Sequence, residues 1–468
     1  MPTPLGWGDG GPPHRGPAAQ EALNAMADTA AVQPWHLRNN WAPLLEERTE
    51  APLEVEGAIP PELNGTYIRT GPNPKSGSSA HWFLGDGMVH GVRLRAGKAE
   101  WYRNRFVQTP DITQPGAPAG RGDLRRGKAN THVVAHGKQI LCLNESAWPW
   151  MIDQDLNTLG VQNYGGRLPC SMTAHPKVCP ETGELLAFSY YTFRPPHLHY
   201  IRVGADGALR QVEAIDLPRM VMMHDFSITR NYAVFLDLPL VFTPALLPTG
   251  MPFKFDTRAP ARIGVLPRSG TGRDMRWLSI APCYVFHTLN AYEDGPSIIM
   301  HVSRMVSAFG ADSNDYSNVA RLWKWTIDLG KGTVTEEQVD DMPGDFGRIN
   351  ETRVGLKARY GYLMSLAGEG HGEEPVYGSQ IIKYDLQSGT RTLHELGPTV
   401  RGGEPVFVAG SAGEDEGWLM VICHDTCSGK SKFMILDAQN VKAAPVATIR
   451  LPGRVPYGAH GSWIPLQA

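Results

Sequence analysis

The 468-residue chain is poor in cysteine, in long apolar runs and in net charge. Its six cysteines, Cys142, Cys170, Cys179, Cys283, Cys423 and Cys427, include no C-x-x-C pair. That density and spacing argue against a disulfide or zinc framework and suit buried thiols in a reduced compartment. No apolar stretch approaches the roughly 18 residues of a spanning helix. No transmembrane segment is therefore expected, and at most a weak peripheral membrane contact. A net charge of −3 with His neutral gives no pull toward nucleic acid. The opening MPTPLGWGDGGPPHRGP lacks the charged start and apolar stretch of a signal peptide. The expectation is a cytoplasmic enzyme, with residues 1–30 a flexible Gly/Pro-rich tail and 31–468 a single catalytic domain.

Helical periodicity is scarce as well. In its place, short apolar or alternating runs recur between turn signals: Gln139–Leu143, Leu185–Tyr190, Tyr232–Leu236, Ser297–Val302, Tyr360–Met364 and Trp418–Ile422. Each has the length and composition of a strand. PETGE at 180–184, GADG at 204–207, EDG at 293–295 and QSG at 387–389 mark turns. Antiparallel hairpins without strand–helix alternation exclude a parallel α/β fold. An all-β chain this long exceeds the roughly 250–300 residues of a single core and must dispose of its edge strands. A β-propeller does so by radial repetition. Seven blades from Trp41 onward would take about sixty residues each, leaving room for long loops and short helices on one face. No exact blade repeat accompanies the pattern.

Among sixteen histidines, four stand out by context. His175 lies in CSMTAHP, His224 in MVMMHDF, His287 in CYVFHTLNAY and His460 in PYGAHGSW. Their separations approximate one, one and three blade lengths. The first strands of all blades converge on a propeller axis, so these imidazoles could meet at one point. Four neutral imidazoles suit a divalent transition metal. Four independent core histidines is the competing reading, and spacing alone leaves the two level.

Several longer segments carry a family resemblance: NGTYIRTGPNP (64–74), HWFLGDGMVHGVRL (81–94), NTHVVAHGKQILCLNES (130–146), TAHPKVCPETGEL (173–185), MMHDFSIT (222–229), FHTLNAYEDG (286–295), GEPVFV (403–408) and VPYGAHGSW (455–463). Together, and in this order, the chain resembles the carotenoid cleavage oxygenases from about Pro60 to its end. That resemblance implies a seven-bladed propeller under a dome of loops and short helices. It implies one Fe(2+) per chain, held by His175, His224, His287 and His460, with O2 as co-substrate. It also implies acidic residues that accept hydrogen bonds from the ligands' distal N–H groups, at Glu145 in LNES and Glu404 in GEPVFV. Such partners fix imidazole tautomer and orientation.

Two positions depart from the family pattern. Asp345-Phe346-Gly347-Arg348 stands where Glu-Phe-Pro-Arg is common. If Asp345 fills the third acidic position, it is one methylene short and needs a backbone shift or a bridging water. On the motif alone, Asp345→Glu should hold or raise metal affinity. Ala459 precedes the last ligand where many relatives have Phe.

The resemblance implies cleavage of a carbon–carbon double bond by O2 into two carbonyl products, with an apolar or phenolic alkene as substrate. GPNP and HWFLGDGMVHG resemble the carotenoid and apocarotenoid cleavers, whereas ARIGVLPRSGTGRDMRW (261–277) resembles the lignostilbene and isoeugenol branch. In that branch a Tyr and a Lys hold a phenol. Here Phe106 stands where that Tyr is expected, with Tyr102 close by, and Lys128 precedes NTH. A solvated loop lysine is the commoner reading of Lys128. Apocarotenoids are favoured, with hydroxystilbenes as the alternative and a non-catalytic propeller scaffold as the remote one.

Overall fold

The computed structural model describes residues 33–117, 122–310, 312–367, 374, 376–411 and 413–466. The tail expected over residues 1–30 lies outside them. Strands form wherever β-branched and aromatic residues alternate or run together, and tight turns join them. One example is the hairpin between Tyr284–Asp294 and Ser297–Met305, in which Asp294 pairs with Ser297. The two-residue loop between them begins with Gly295 at φ 58, the left-handed geometry that such loops need.

Seven antiparallel blades follow one another along the chain, as a seven-bladed β-propeller requires. Their first strands are Gly65–Pro72, His132–His136, Lys177–Val178, Ser227–Ile228, Tyr284–Asp294, the end of Thr333–Arg348, and Val406–Ala409. Thr333–Arg348 serves two blades. Its pairing with Arg321–Asp328 runs from Thr333 to Pro343, and from Gly344 onward it pairs with Tyr360–Leu366.

Closure comes from both ends of the chain. The final strand, Gly461–Pro465, pairs with Gly65–Pro72 and becomes the inner edge of the first blade. The early strand Val55–Gly57 pairs with Ala447–Arg450 and completes the last blade. Neither end of the sheet series therefore exposes a long free edge.

Blades pack face to face through apolar clusters. One of these joins Leu289, Leu363, Ile382 and Tyr384; each such side chain, fully buried, contributes about 1.5–3 kcal/mol. Among the described residues the only α-helix is Pro110–Thr113, accompanied by short 3-10 turns such as Trp35–Leu37, Asn39–Trp41 and Trp82–Leu84. These turns and the segment around Tyr316 build the expected dome. Trp35, Trp41, Trp82 and Tyr316 meet there edge to face, with Trp41 and Trp82 centroids 4.9 Å apart. Five cysteines are buried thiols and Cys427 is exposed. No helix among the described residues is long and apolar enough to cross a membrane.

Candidate metal centre

His175 stands just before Lys177–Val178, His224 before Ser227–Ile228 and His460 before Gly461–Pro465, while His287 lies within Tyr284–Asp294. Each belongs to the innermost edge of a different blade. All four are buried, and their ring nitrogens lie within 4.8 Å of one another, an arrangement that could hold a metal ion. His175 Nε2 faces His224 Nε2 at 3.0 Å. Two imidazole lone pairs at that distance need a shared proton or a cation between them. His287 Nε2 is buried with no hydrogen-bond partner, a costly state for a polar atom unless a cation satisfies it.

Three acids approach these rings from outside the cluster. His287 Nδ1–H donates to Asp345 Oδ1 at 3.0 Å, and His460 Nδ1–H donates to Glu404 Oε1 at 2.8 Å. His224 Nδ1 contacts Glu145 Oε1. The expected acids are therefore brought to three of the four imidazoles, and Asp345 needs no bridging water. Beside it Phe346 has φ 58 and the strand register slips between Asp345 and Arg348.

The electrostatics follow from burial and these partners. Burial, assisted by the neighbouring imidazoles, holds His175 well below the usual histidine range. Burial takes His460 down to about 4 against the pull of Glu404. At His287 burial acts downward, but the Asp345 carboxylate outweighs it and the net shift is upward. Burial alone would raise Glu404. Arg348 at 3.3 Å and His460 reverse this, so it stays ionised far below the usual carboxylate range.

An apolar cavity opens onto the cluster. His224, His287 and His460 line it together with Phe83, Phe286, Phe346, Tyr377 and the dome residues Trp41, Trp82 and Tyr316. Ala459 lies in the wall beside His460.

The three residues proposed from sequence as substrate contacts do not line it. Tyr102 and Phe106 sit on Lys98–Phe106, the fourth strand out from the axis in its blade. Tyr102 is buried there, with its hydroxyl on His90 Nδ1 at 2.9 Å. Phe106 is 1% exposed and packs outside the cavity, under Lys75. Lys128 pairs with Asp86 at 2.8 Å and Asp111 at 2.9 Å. Distance from the axis overrides their proximity in sequence to axial motifs.

Sequence reasoning missed two contributors. Tyr190, fully buried at the end of an apolar run, donates its hydroxyl to Glu145 Oε2. Arg348 bonds the Gly461 carbonyl at 3.0 Å while pairing with Glu404. His132 also touches the cluster, its ring centroid 5.3 Å from His460. Its Nδ1 is 3.0 Å from the Ala174 carbonyl and its Nε2 is near the Ser462 hydroxyl.

Fold and cluster define a β-propeller with an axial four-histidine centre. A family model described as retinal pigment epithelial membrane protein matches residues 41–465. A carotenoid cleavage oxygenase of Mycobacterium tuberculosis is 36% identical over 498 residues, spanning 94% of this chain and 99% of the relative. A carotenoid 9,10(9',10')-cleavage dioxygenase of Crocus sativus is 35% identical over 492 residues, spanning 92% and 89%. Pseudomonas brassicacearum lignostilbene dioxygenase superposes with a TM-score of 0.83 at 27% identity, over 92% of this chain and 99% of that one. Cobalt-substituted Synechocystis apocarotenoid oxygenase superposes with a TM-score of 0.80 at 28% identity, over 91% and 97%. The chain belongs to the carotenoid cleavage oxygenase family.

Proposed function

We propose that the protein is a non-haem iron(II) dioxygenase that splits a carbon–carbon double bond of a carotenoid or apocarotenoid into two carbonyl products. The observation that carries this reading is the convergence of four buried imidazoles, three of which line an apolar cavity. The donor set fits the metal. Imidazole nitrogen suits divalent iron, no thiol enters the cluster, and the orphaned His287 Nε2 asks for a cation. Bound by His175, His224, His287 and His460, iron(II) would supply the electron chemistry that lets O2 react with an alkene.

The chain's own residues do the rest. Glu145, Asp345 and Glu404 engage Nδ1 of three rings and leave Nε2 of each for the metal. Burial keeps His175 and His460 unprotonated at neutral pH, so their lone pairs are available. Phe83, Phe286, Phe346 and the dome tryptophans exclude water and hold an extended apolar substrate. Tyr102 and Lys128, the two residues that could have held a phenol, lie outside the cavity, as does Phe106, and so give no support to a phenolic substrate. The carotenoid-cleaving relatives support the same preference.

Oxygen uptake by the iron-loaded enzyme, measured across apocarotenals and hydroxystilbenes with product analysis in 18O2, tests the proposal. The expected result is uptake with an apocarotenal and one labelled oxygen in each of two carbonyl products. Preferential cleavage of a hydroxystilbene would move the substrate to the lignostilbene class. Isomerisation or hydrolysis without oxygen consumption would overturn the dioxygenase reading.

A further inference from the structure

A fourth acid lies near the four-histidine cluster without touching any of its imidazoles. Asp225 directly follows His224, is 2% exposed, and faces only donors. Its Oδ1 accepts from the Phe226 N–H at 2.7 Å and from Lys177 Nζ at 2.8 Å. Its Oδ2 accepts from the Thr288 N–H at 2.8 Å. The Thr288 hydroxyl lies 2.9 Å from Oδ2 and 3.1 Å from the Phe226 carbonyl, and its one hydrogen serves one or the other. Lys177 stands two residues after His175, Asp225 one after His224, and Thr288 one after His287. Three of the four imidazoles are therefore carried by backbone tied to a single carboxylate.

We propose that Asp225 is a positioning residue for the metal centre. With Lys177 and Thr288 it sets the mutual spacing of His175, His224 and His287. This rests on the reading of the four histidines as metal ligands. Successive side chains on extended backbone point to opposite faces, so a residue next to a ligand can lock that backbone from behind. The three residues line a second cavity that His175, His287 and His460 also reach and that Phe286 and Glu145 do not. Stability alone is a weak reason for a charged pair in that place, because a buried ion pair seldom outperforms apolar packing of the same shape. A carboxylate with two donors at Oδ1 and one or two at Oδ2 does impose direction and distance, since each hydrogen bond tolerates only a few tenths of an ångström.

The test uses full-length metal-free protein loaded with Co(II), whose visible absorption bands report coordination geometry. Asp225→Asn keeps the shape but places an NH2 against donors. It should weaken Co(II) binding about 10–100-fold in chelator competition and shift the bands. Thr288→Val, a milder change that decides the matter if Asp225→Asn does not fold, should shift the bands in the same direction by less. Ile449→Val, in the core of the last blade far along the sheet from the axis, serves as the control: it should lower Tm and leave the bands unmoved. Parental spectra and affinities in both cluster variants, with Tm losses like the control's, would overturn the proposal. Failure of the parent protein to take up Co(II) is a different result and would overturn the four-histidine reading itself.

Discussion

The Asp345 carboxylate meets His287 Nδ1 directly, at 3.0 Å, in a strand whose next residue, Phe346, has φ 58. The sequence raised two ways for a short acid to reach this ring, a backbone shift or a bridging water; the contact is direct, with the next residue at positive φ. Gly347 permits it. A proline there would bias Phe346 toward extended backbone, and a Cβ at 347 would come within 3.0 Å of Leu289 Cδ1. A non-glycine residue at positive φ costs on the order of 1–3 kcal/mol, which the surrounding sheet has to offset.

The mutational expectation is reversed as a result. With the Asp345 carboxylate already in direct contact with the ring, the longer Asp345→Glu should overshoot and weaken metal binding, as should Asp345→Asn, which loses the anionic acceptor. Losses of about tenfold are expected. Chelator competition checks this, and a gain of affinity in Asp345→Glu would show that the backbone relaxes freely.

Glu145 stands between His224 and Tyr190, whereas Glu404 stands among His460, the Gly461 N–H and Arg348. Glu145→Gln and Glu404→Gln should each lower metal affinity or activity about 10–100-fold. Tyr190→Phe removes a donor to Glu145 while leaving its contact with His224, so its loss should be smaller than that of Glu145→Gln. Metal content after dialysis, measured for all three variants, ranks them. Parental content in both Gln variants would remove these acids from the centre.

His81 provides a pH-dependence away from the metal. It is fully buried; its Nε2–H donates to the Ser313 carbonyl at 2.8 Å and its Nδ1 accepts from the Phe83 N–H at 3.1 Å. Burial lowers it to about 4. Between its unfolded value near 6.5 and about 4, the unfolded chain binds the extra proton, so stability is complete above that window and falls as pH drops through it. At about 1.4 kcal/mol per unit, His81 accounts for a loss of roughly 3 kcal/mol by pH 4, and His301, also lowered to about 4 by burial, acts in the same direction. His81→Asn should be less stable at pH 7 yet show a flatter decline with acid. Urea unfolding across pH 4–7.5 measures both slopes, and parallel slopes would exclude His81 as a contributor.

What could be read in advance depended on how local each signal was. The four histidines stood out by strand-like context and blade-length spacing, but these left four core histidines an equal reading, and only the family motifs singled them out as a ligand set. Glu145 and Glu404 were legible only as parts of motifs. Tyr190 was not, since its tie to Glu145 exists only after two blades pack together. The blade boundary inside Thr333–Arg348 falls at Pro343-Gly344, a dipeptide that reads as a turn, yet one continuous strand runs through it and serves both blades. Tyr102 and Phe106 were misplaced for the opposite reason: sequence shows that Lys98–Phe106 is a strand but not that it lies fourth from the axis.

Lys128 offers the clearest test of substrate class. Its ammonium is shared between Asp86 and Asp111 at 2.8 and 2.9 Å, and those hydrogen bonds hold it charged, above the usual lysine range, despite partial burial. Both carboxylates would have to release it before it could serve a phenolate, and it does not line the cavity that His224, His287 and His460 reach. Lys128→Met should therefore leave the ratio of kcat/KM for an apocarotenal to that for a hydroxystilbene unchanged. It should cost about 1–3 kcal/mol of stability, because two partly buried carboxylates lose their shared partner. A lysine that bound the substrate would behave otherwise: stilbene cleavage would fall roughly ten- to a hundredfold, at 1.4 kcal/mol per decade, while cleavage of a polyene without a phenol would be spared. Such a selective loss would return Lys128 to the substrate site and favour the lignostilbene class.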